Sequence, residues 1–92
     1  MVAGMASRRR SRRFTRPVVI QPGRIDRDRV VTNVRDAAQL LLKEWPDQTS
    51  EKRQAAMEAC LRVFRGEGSA RNARQAFIEA AKDARIFVGE KV

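Results

Sequence analysis

The chain has 92 residues, one cysteine, no histidine and no tyrosine, with 20 basic against 11 acidic residues and a formal charge of +9. That length builds one domain and excludes two, and a single cysteine excludes a disulfide framework. Without histidine there is no Ser-His-Asp or Cys-His nucleophile, no imidazole base near neutral pH, and no zinc site around Cys60.

The charge is unevenly spread. Residues 1–16 hold Arg8, Arg9, Arg10, Arg12, Arg13 and Arg16 with no acid, giving +6, while the rest has 14 bases and 11 acids, giving +3. Apart from Val2, two methionines and Phe14, this start has no large apolar residue to offset the entropy of ordering. It reads as a disordered arginine-rich tail, residues 1–16, ahead of a single α+β domain over 17–92. Met5 is an alternative start to Met1.

Two export signals are superficially present. Ser11-Arg12-Arg13-Phe14 looks like part of a twin-arginine signal, but Pro17-Val18-Val19-Ile20-Gln21-Pro22-Gly23 is too short for the apolar region that must follow. The Arg- and Ser-rich start also resembles a transit peptide, yet lacks an amphipathic stripe. No segment reaches the roughly 18 apolar residues of a membrane helix. The expectation is a cytoplasmic protein, with which one reduced cysteine agrees.

Pro17-Val18-Val19-Ile20-Gln21 is β-branched and stops at Pro22-Gly23, a turn signal. Arg29-Val30-Val31-Thr32 follows as a second β run, so the two read as an N-terminal hairpin that must lie on helices to be stable.

Asn33 is a good N-cap, and Asp36 suits the positive end of a helix dipole. Val34, Ala37, Ala38, Leu41, Leu42 and Trp45 fall at offsets 0, 3, 4, 7, 8 and 11, an amphipathic helix that Pro46 terminates. Trp45, on that stripe, reads as core with its N–H at the rim; the functional alternative is an anchor in a partner interface.

Thr49 or Ser50 caps a second helix carrying Ala56, Met57, Ala59, Cys60, Leu61, Val63 and Phe64. That wide stripe predicts the central helix, with Cys60 a small buried hydrophobe. Arg53, Arg62 and Arg65 are interspersed with Glu51 and Glu58, the pattern of an ordinary solvated face. Gly66 is the natural left-handed residue after it, and Gly68 keeps the turn permissive. The two glycines do not form a phosphate loop, since no strand precedes them and no lysine follows in register.

Ser69 caps a third helix, whose apolar residues Ala70, Ala73, Phe77, Ala80, Ala81 and Ala84 fall at offsets 0, 3, 7, 10, 11 and 14. Alanines permit close packing on the second helix, with Phe77 as the large knob. Ile86-Phe87-Val88 either closes the core or adds a short strand. The architecture expected is therefore α+β: an N-terminal two-stranded β-hairpin followed by three packed α-helices (ββααα), behind a disordered basic tail.

Trp45 at a helix end, Ala56 and Cys60, the Gly66-x-Gly68-Ser69 turn, Ala73-Arg74-x-Ala76-Phe77 and Ala80-Ala81-x-x-Ala84-x-Ile86 resemble one family. It is the small family catalogued as domain of unknown function 982, found largely in rhizobia and related alphaproteobacteria. The similarity runs from about Pro17 to Val88. It implies a compact bacterial domain and brings no catalytic residue, cofactor or partner, and the arginine-rich start lies outside it.

No catalytic, cofactor-binding or metal-binding residue can be named, and an enzyme is not expected. The tail arginines Arg8, Arg9, Arg10, Arg12, Arg13 and Arg16 are the candidate polyanion contacts, because guanidinium groups pair bidentately with phosphate. Only Phe14 is available there to stack on a base, so no sequence readout is expected. Anionic membrane, acidic proteins and mere solvation are the alternatives for such a tail. Trp45, Arg71 and Arg74 form the candidate interaction surface of the domain. Arg71, Asn72, Arg74 and Gln75 would be the reading face if the second and third helices made a helix-turn-helix. An ordinary helical hairpin explains the long second helix and the acids Glu79 and Asp83 better. The leading expectation is a non-enzymatic binding or adaptor domain, nucleic acid or another polyanion being bound through the tail. The competing one is a structural or self-assembling homodimer with no nucleic-acid role.

Overall fold

A computed structural model describes residues 12–23 and 27–91. Strand β1 (Arg13–Ile20) leads to β2 (Arg29–Asn33), then helices α1 (Val34–Lys43), α2 (Glu51–Phe64) and α3 (Ala70–Asp83), and last strand β3 (Phe87–Glu90). The sheet is antiparallel with order β2-β1-β3, so the chain's first strand lies in its middle. The expected two-stranded hairpin is thus corrected to three strands. β3 takes the second edge of β1, pairing Val18 with Glu90, Val19 with Gly89 and Ile20 with Phe87. Flanking bonds from Gln21 N–H to the Ile86 carbonyl (2.8 Å) and from Lys91 N–H to the Pro17 carbonyl (2.9 Å) extend that seam.

The boundary placed at residue 16 is also corrected where it can be seen. β1 begins at Arg13, and Phe14 is buried, which supplies the apolar contact that stabilises an otherwise polar segment. The disorder expected of the tail up to residue 11 lies outside the described residues. Pro17 sits inside the central strand with its carbonyl turned to β3, so the N–H it lacks falls at the end of that seam, beyond the Val18–Glu90 pair. On the other edge the β1–β2 register jumps from Arg13 opposite Asn33 to Val18 opposite Val31.

Each helix starts on the residue chosen for it by side-chain chemistry. Asn33, Ser50 and Ser69 accept hydrogen bonds from the backbone N–H groups of Asp36, Arg53 and Asn72. α1 ends at Lys43, before Trp45, because a residue preceding proline is driven out of the helical region. Trp45 still reaches the core, 4% exposed, its ring centroid 5.5 Å from that of Phe77. Its Nε1–H, expected at the rim, is instead buried and has no acceptor among the described residues. Leu42, counted in the α1 stripe, points outward, and Leu40 is buried in its place.

α2 and α3 end in the same way. Gly66 and Arg85 both take left-handed φ (77° and 62°), and in each case the next residue's N–H returns to a carbonyl in the last turn: Glu67 to Arg62 at 2.8 Å, Ile86 to Ala81 at 2.9 Å. This reversal after α3 sends the chain back along β1 as β3.

The central helix is α3, not α2. α3 contacts α1, α2, β1 and β3, whereas α2 packs chiefly on α1 and α3. Its alanines let α3 lie close to both layers, and Ala73, Phe77, Ala80 and Ala81 are fully buried. The α2 stripe is narrower than its composition suggests: Ala56, Cys60 and Val63 are buried, while Leu61 and Phe64 remain 43% and 37% exposed. No polar or charged side chain is buried among the described residues. No helix of the described residues is long and apolar enough to cross a membrane.

Candidate polyanion-binding cleft

Along β1 Phe14 turns into the core and Thr15 away from it, and Arg16 is also exposed, where the strand's regular pairing is interrupted between Arg13 and Val18. On α3, Arg71, Arg74 and Gln75 stand at offsets 0, 3 and 4 and therefore share one face. β3 brings Glu90 to the same place. These six residues, Thr15, Arg16, Arg71, Arg74, Gln75 and Glu90, line a cleft of about 380 Å³ between the strand and the helix.

Arg74 is already occupied within the protein. Its Nε donates to the Arg16 carbonyl at 3.0 Å, its Nη2 pairs with the Glu90 carboxylate, and its side chain is only 13% exposed. It pins the start of β1 to the end of β3. The hydrogen bond from Arg74, with the charges of Arg74, Arg16 and Lys82, holds the Glu90 carboxyl below its ordinary range despite some desolvation. Arg16 and Arg71 are different: both are exposed and neither makes an ion pair among the described residues. Three cations against one carboxylate leave the cleft at +2.

The sequence-selected residues therefore divide. Arg8, Arg9 and Arg10 lie outside the described residues. Arg12 rests over the Phe64 ring, 5.4 Å from its centroid, and Arg13 is exposed at the start of β1. Arg16 joins Arg71 and Arg74 at the cleft. Trp45 does not join them, being a core residue against Phe77. Arg74 is a clamp rather than a free contact, which weakens a helix-turn-helix reading face on α3. Glu90 and Thr15 were not singled out from sequence. Glu90 becomes visible only once β3 is placed beside β1, for which the β-favouring Ile86-Phe87-Val88 was the available signal.

Burial pushes the Cys60 thiol up to about 11, so it stays protonated near neutral pH. Among the described residues no group of three acidic or sulfur side chains converges as a metal ion requires.

Fold and cleft together define a small ββαααβ domain with a basic groove where its first strand meets its last helix. The chain belongs to the family described as "Protein of unknown function (DUF982)", which matches residues 16–88. Arg12 and Arg13 precede that match, and Arg16, Arg71 and Arg74 lie within it. No curated protein and no solved structure matches the chain significantly.

Proposed function

We infer that this is a non-enzymatic binding domain that attaches to an acidic polymer, nucleic acid foremost, through its N-terminal arginines and the cleft they lead into. The observation that carries this reading is the placement of Arg16 and Arg71, exposed and without an ion pair among the described residues, on one cleft that follows the arginine-rich segment in the chain. A phosphodiester backbone fits such a surface, since guanidinium groups take its oxygens bidentately and the released counterions drive association. Recognition is of charge rather than sequence. Phe14, the one aromatic residue of the first sixteen, is 8% exposed and so withdrawn from stacking on a base.

Affinity for a short DNA or RNA duplex, measured against salt, tests this. The expected result is a log–log plot falling steeply with salt, its slope reduced by about one for each phosphate-contacting arginine removed. Deleting residues 1–11, which spares β1, weakens binding while leaving a residual affinity in the cleft. A chain showing no salt-dependent association at low ionic strength would refute the reading.

A further inference from the structure

Arg74 makes two contacts of different kinds. Its Nε donates to the backbone carbonyl of Arg16 at 3.0 Å, a partner that the central strand holds in place. Its Nη2 meets the Glu90 carboxylate, a side chain 39% exposed on the edge strand β3 and open to water and to any anion in the cleft. The backbone of β3 is anchored separately, by the pairing of Glu90 with Val18 and by Lys91 N–H on the Pro17 carbonyl (2.9 Å). The Glu90 side chain can therefore turn away without unzipping the sheet, and the first contact keeps Arg74 at the cleft when it does. An exposed ion pair of this kind contributes little to stability, so exchanging its anion costs little.

Among the described residues Glu90 is also the one acid lining the cleft, set among Arg16, Arg71 and Arg74, with Lys82 near enough to act on it. An oxygen anion against a guanidinium is the position that a phosphate of a bound polymer would take.

We propose, resting on the reading of this cleft as a polyanion site, that Glu90 is an internal competitor for Arg74. Its carboxylate stands in for a ligand phosphate in the free protein, and yields Arg74 when a nucleic-acid backbone settles on Arg16 and Arg71. A lone anion gains no such entry. A phosphate tethered to others already held by Arg16 and Arg71 arrives at high effective concentration and displaces the carboxylate. Glu90 thereby makes the cleft favour phosphates in a row over single ones.

The exchange marks the salt dependence. A phosphate taken by an arginine releases its condensed counterion, whereas Glu90, once turned out, collects a cation from solution. The two nearly cancel, so in the parent chain Arg74 adds almost nothing to the salt slope. Without the carboxylate no cation is collected, and the slope steepens by about one.

Affinity of the full chain for a short DNA duplex, measured against salt, tests this in the parent chain, Glu90→Gln and Glu79→Gln. Glu79 is exposed on the same α3 face as Arg71 and Gln75 and accepts from Gln75, so its loss changes the net charge equally without touching Arg74. The expected result for Glu90→Gln is binding roughly 5- to 10-fold tighter at ~0.1 M salt, with a log–log slope steeper by about one. Glu79→Gln should leave the slope unchanged. In an Arg74→Gln background, checked as folded by circular dichroism, Glu90→Gln should add nothing. A parent chain that binds while Glu90→Gln leaves its slope unchanged, or is matched by Glu79→Gln, would overturn the proposal and spare the reading of the cleft. A Glu90→Gln gain that survives Arg74→Gln would do the same. No salt-dependent binding by the parent chain would overturn that reading, and the proposal with it.

Discussion

On its inner side α3 presents Ala73, Phe77, Ala80 and Ala81, all fully buried, to a core in which none of the described residues buries a polar or charged side chain. On its outer side, within its first two turns, it presents Arg71, Arg74 and Gln75 to a cleft holding three guanidinium groups and one carboxylate. One helix therefore serves two regions under opposite rules. Inward, shape decides, because interiors are close-packed and a missing methylene is felt. Outward, charge decides, and shape matters only where Arg74 ties two strands together. Substitutions in the core should change stability without altering the affinity of the folded protein, and substitutions at the cleft mouth should do the reverse.

The largest test of that separation is Phe77→Ala. Phe77 is fully buried and stacks at a tilt on Trp45, so its truncation should cost about 3–5 kcal/mol in urea denaturation. A cost below about 2 kcal/mol would mean the core is not centred there. The two left-handed helix ends come next. Gly66→Ala meets no steric neighbour, so it should lose about 1 kcal/mol from backbone strain alone. Arg85→Gly removes the same strain from a residue that already bears it, and should gain roughly 0.5–1 kcal/mol in thermal denaturation. Opposite signs at matched positions would confirm that both ends use one motif.

A smaller effect belongs to Glu90. Its carboxyl is held below the ordinary value of 4.5 when folded, so its contribution is present above that value and fades as pH falls through the lowered one. Glu90→Gln, which mimics the protonated acid, should lower the melting temperature modestly at neutral pH and flatten its acid limb, the two chains converging at low pH. An acid limb identical to that of the parent chain would show that Arg74 does not hold Glu90 in solution.

The helical layer was legible in the sequence because its determinants are local. Asn33, Ser50 and Ser69 cap by their own side chains, and Phe77 stands out in a run of alanines. The apolar period misled at Leu42, Leu61 and Phe64, which lie on the expected stripes yet face solvent, and it ran past its element at Trp45, which keeps the spacing of α1 yet lies beyond its end. The sheet was less legible because its evidence is distant. β3 is four residues long and includes Gly89, and its partner lies about 70 positions away at Val18–Ile20. Pro17, read as a strand start, is tolerated inside β1 at an irregularity that only the register reveals. The cleft inherits that difficulty. Arg71 and Arg74 could be picked by type, but the capture of Arg74 by Glu90 follows from where β3 lies.

The proposed joint action of Arg16 and Arg71 on an acidic polymer is tested by the double variant Arg16→Ala/Arg71→Ala, compared with the parent chain in a duplex-binding salt titration. Both side chains are exposed and make no ion pair among the described residues, so the folding stability should be unchanged to within about 0.5 kcal/mol. The predicted result is weaker binding with a log–log salt slope shallower by about two. An unchanged slope, or no salt-dependent binding by either protein, would contradict it.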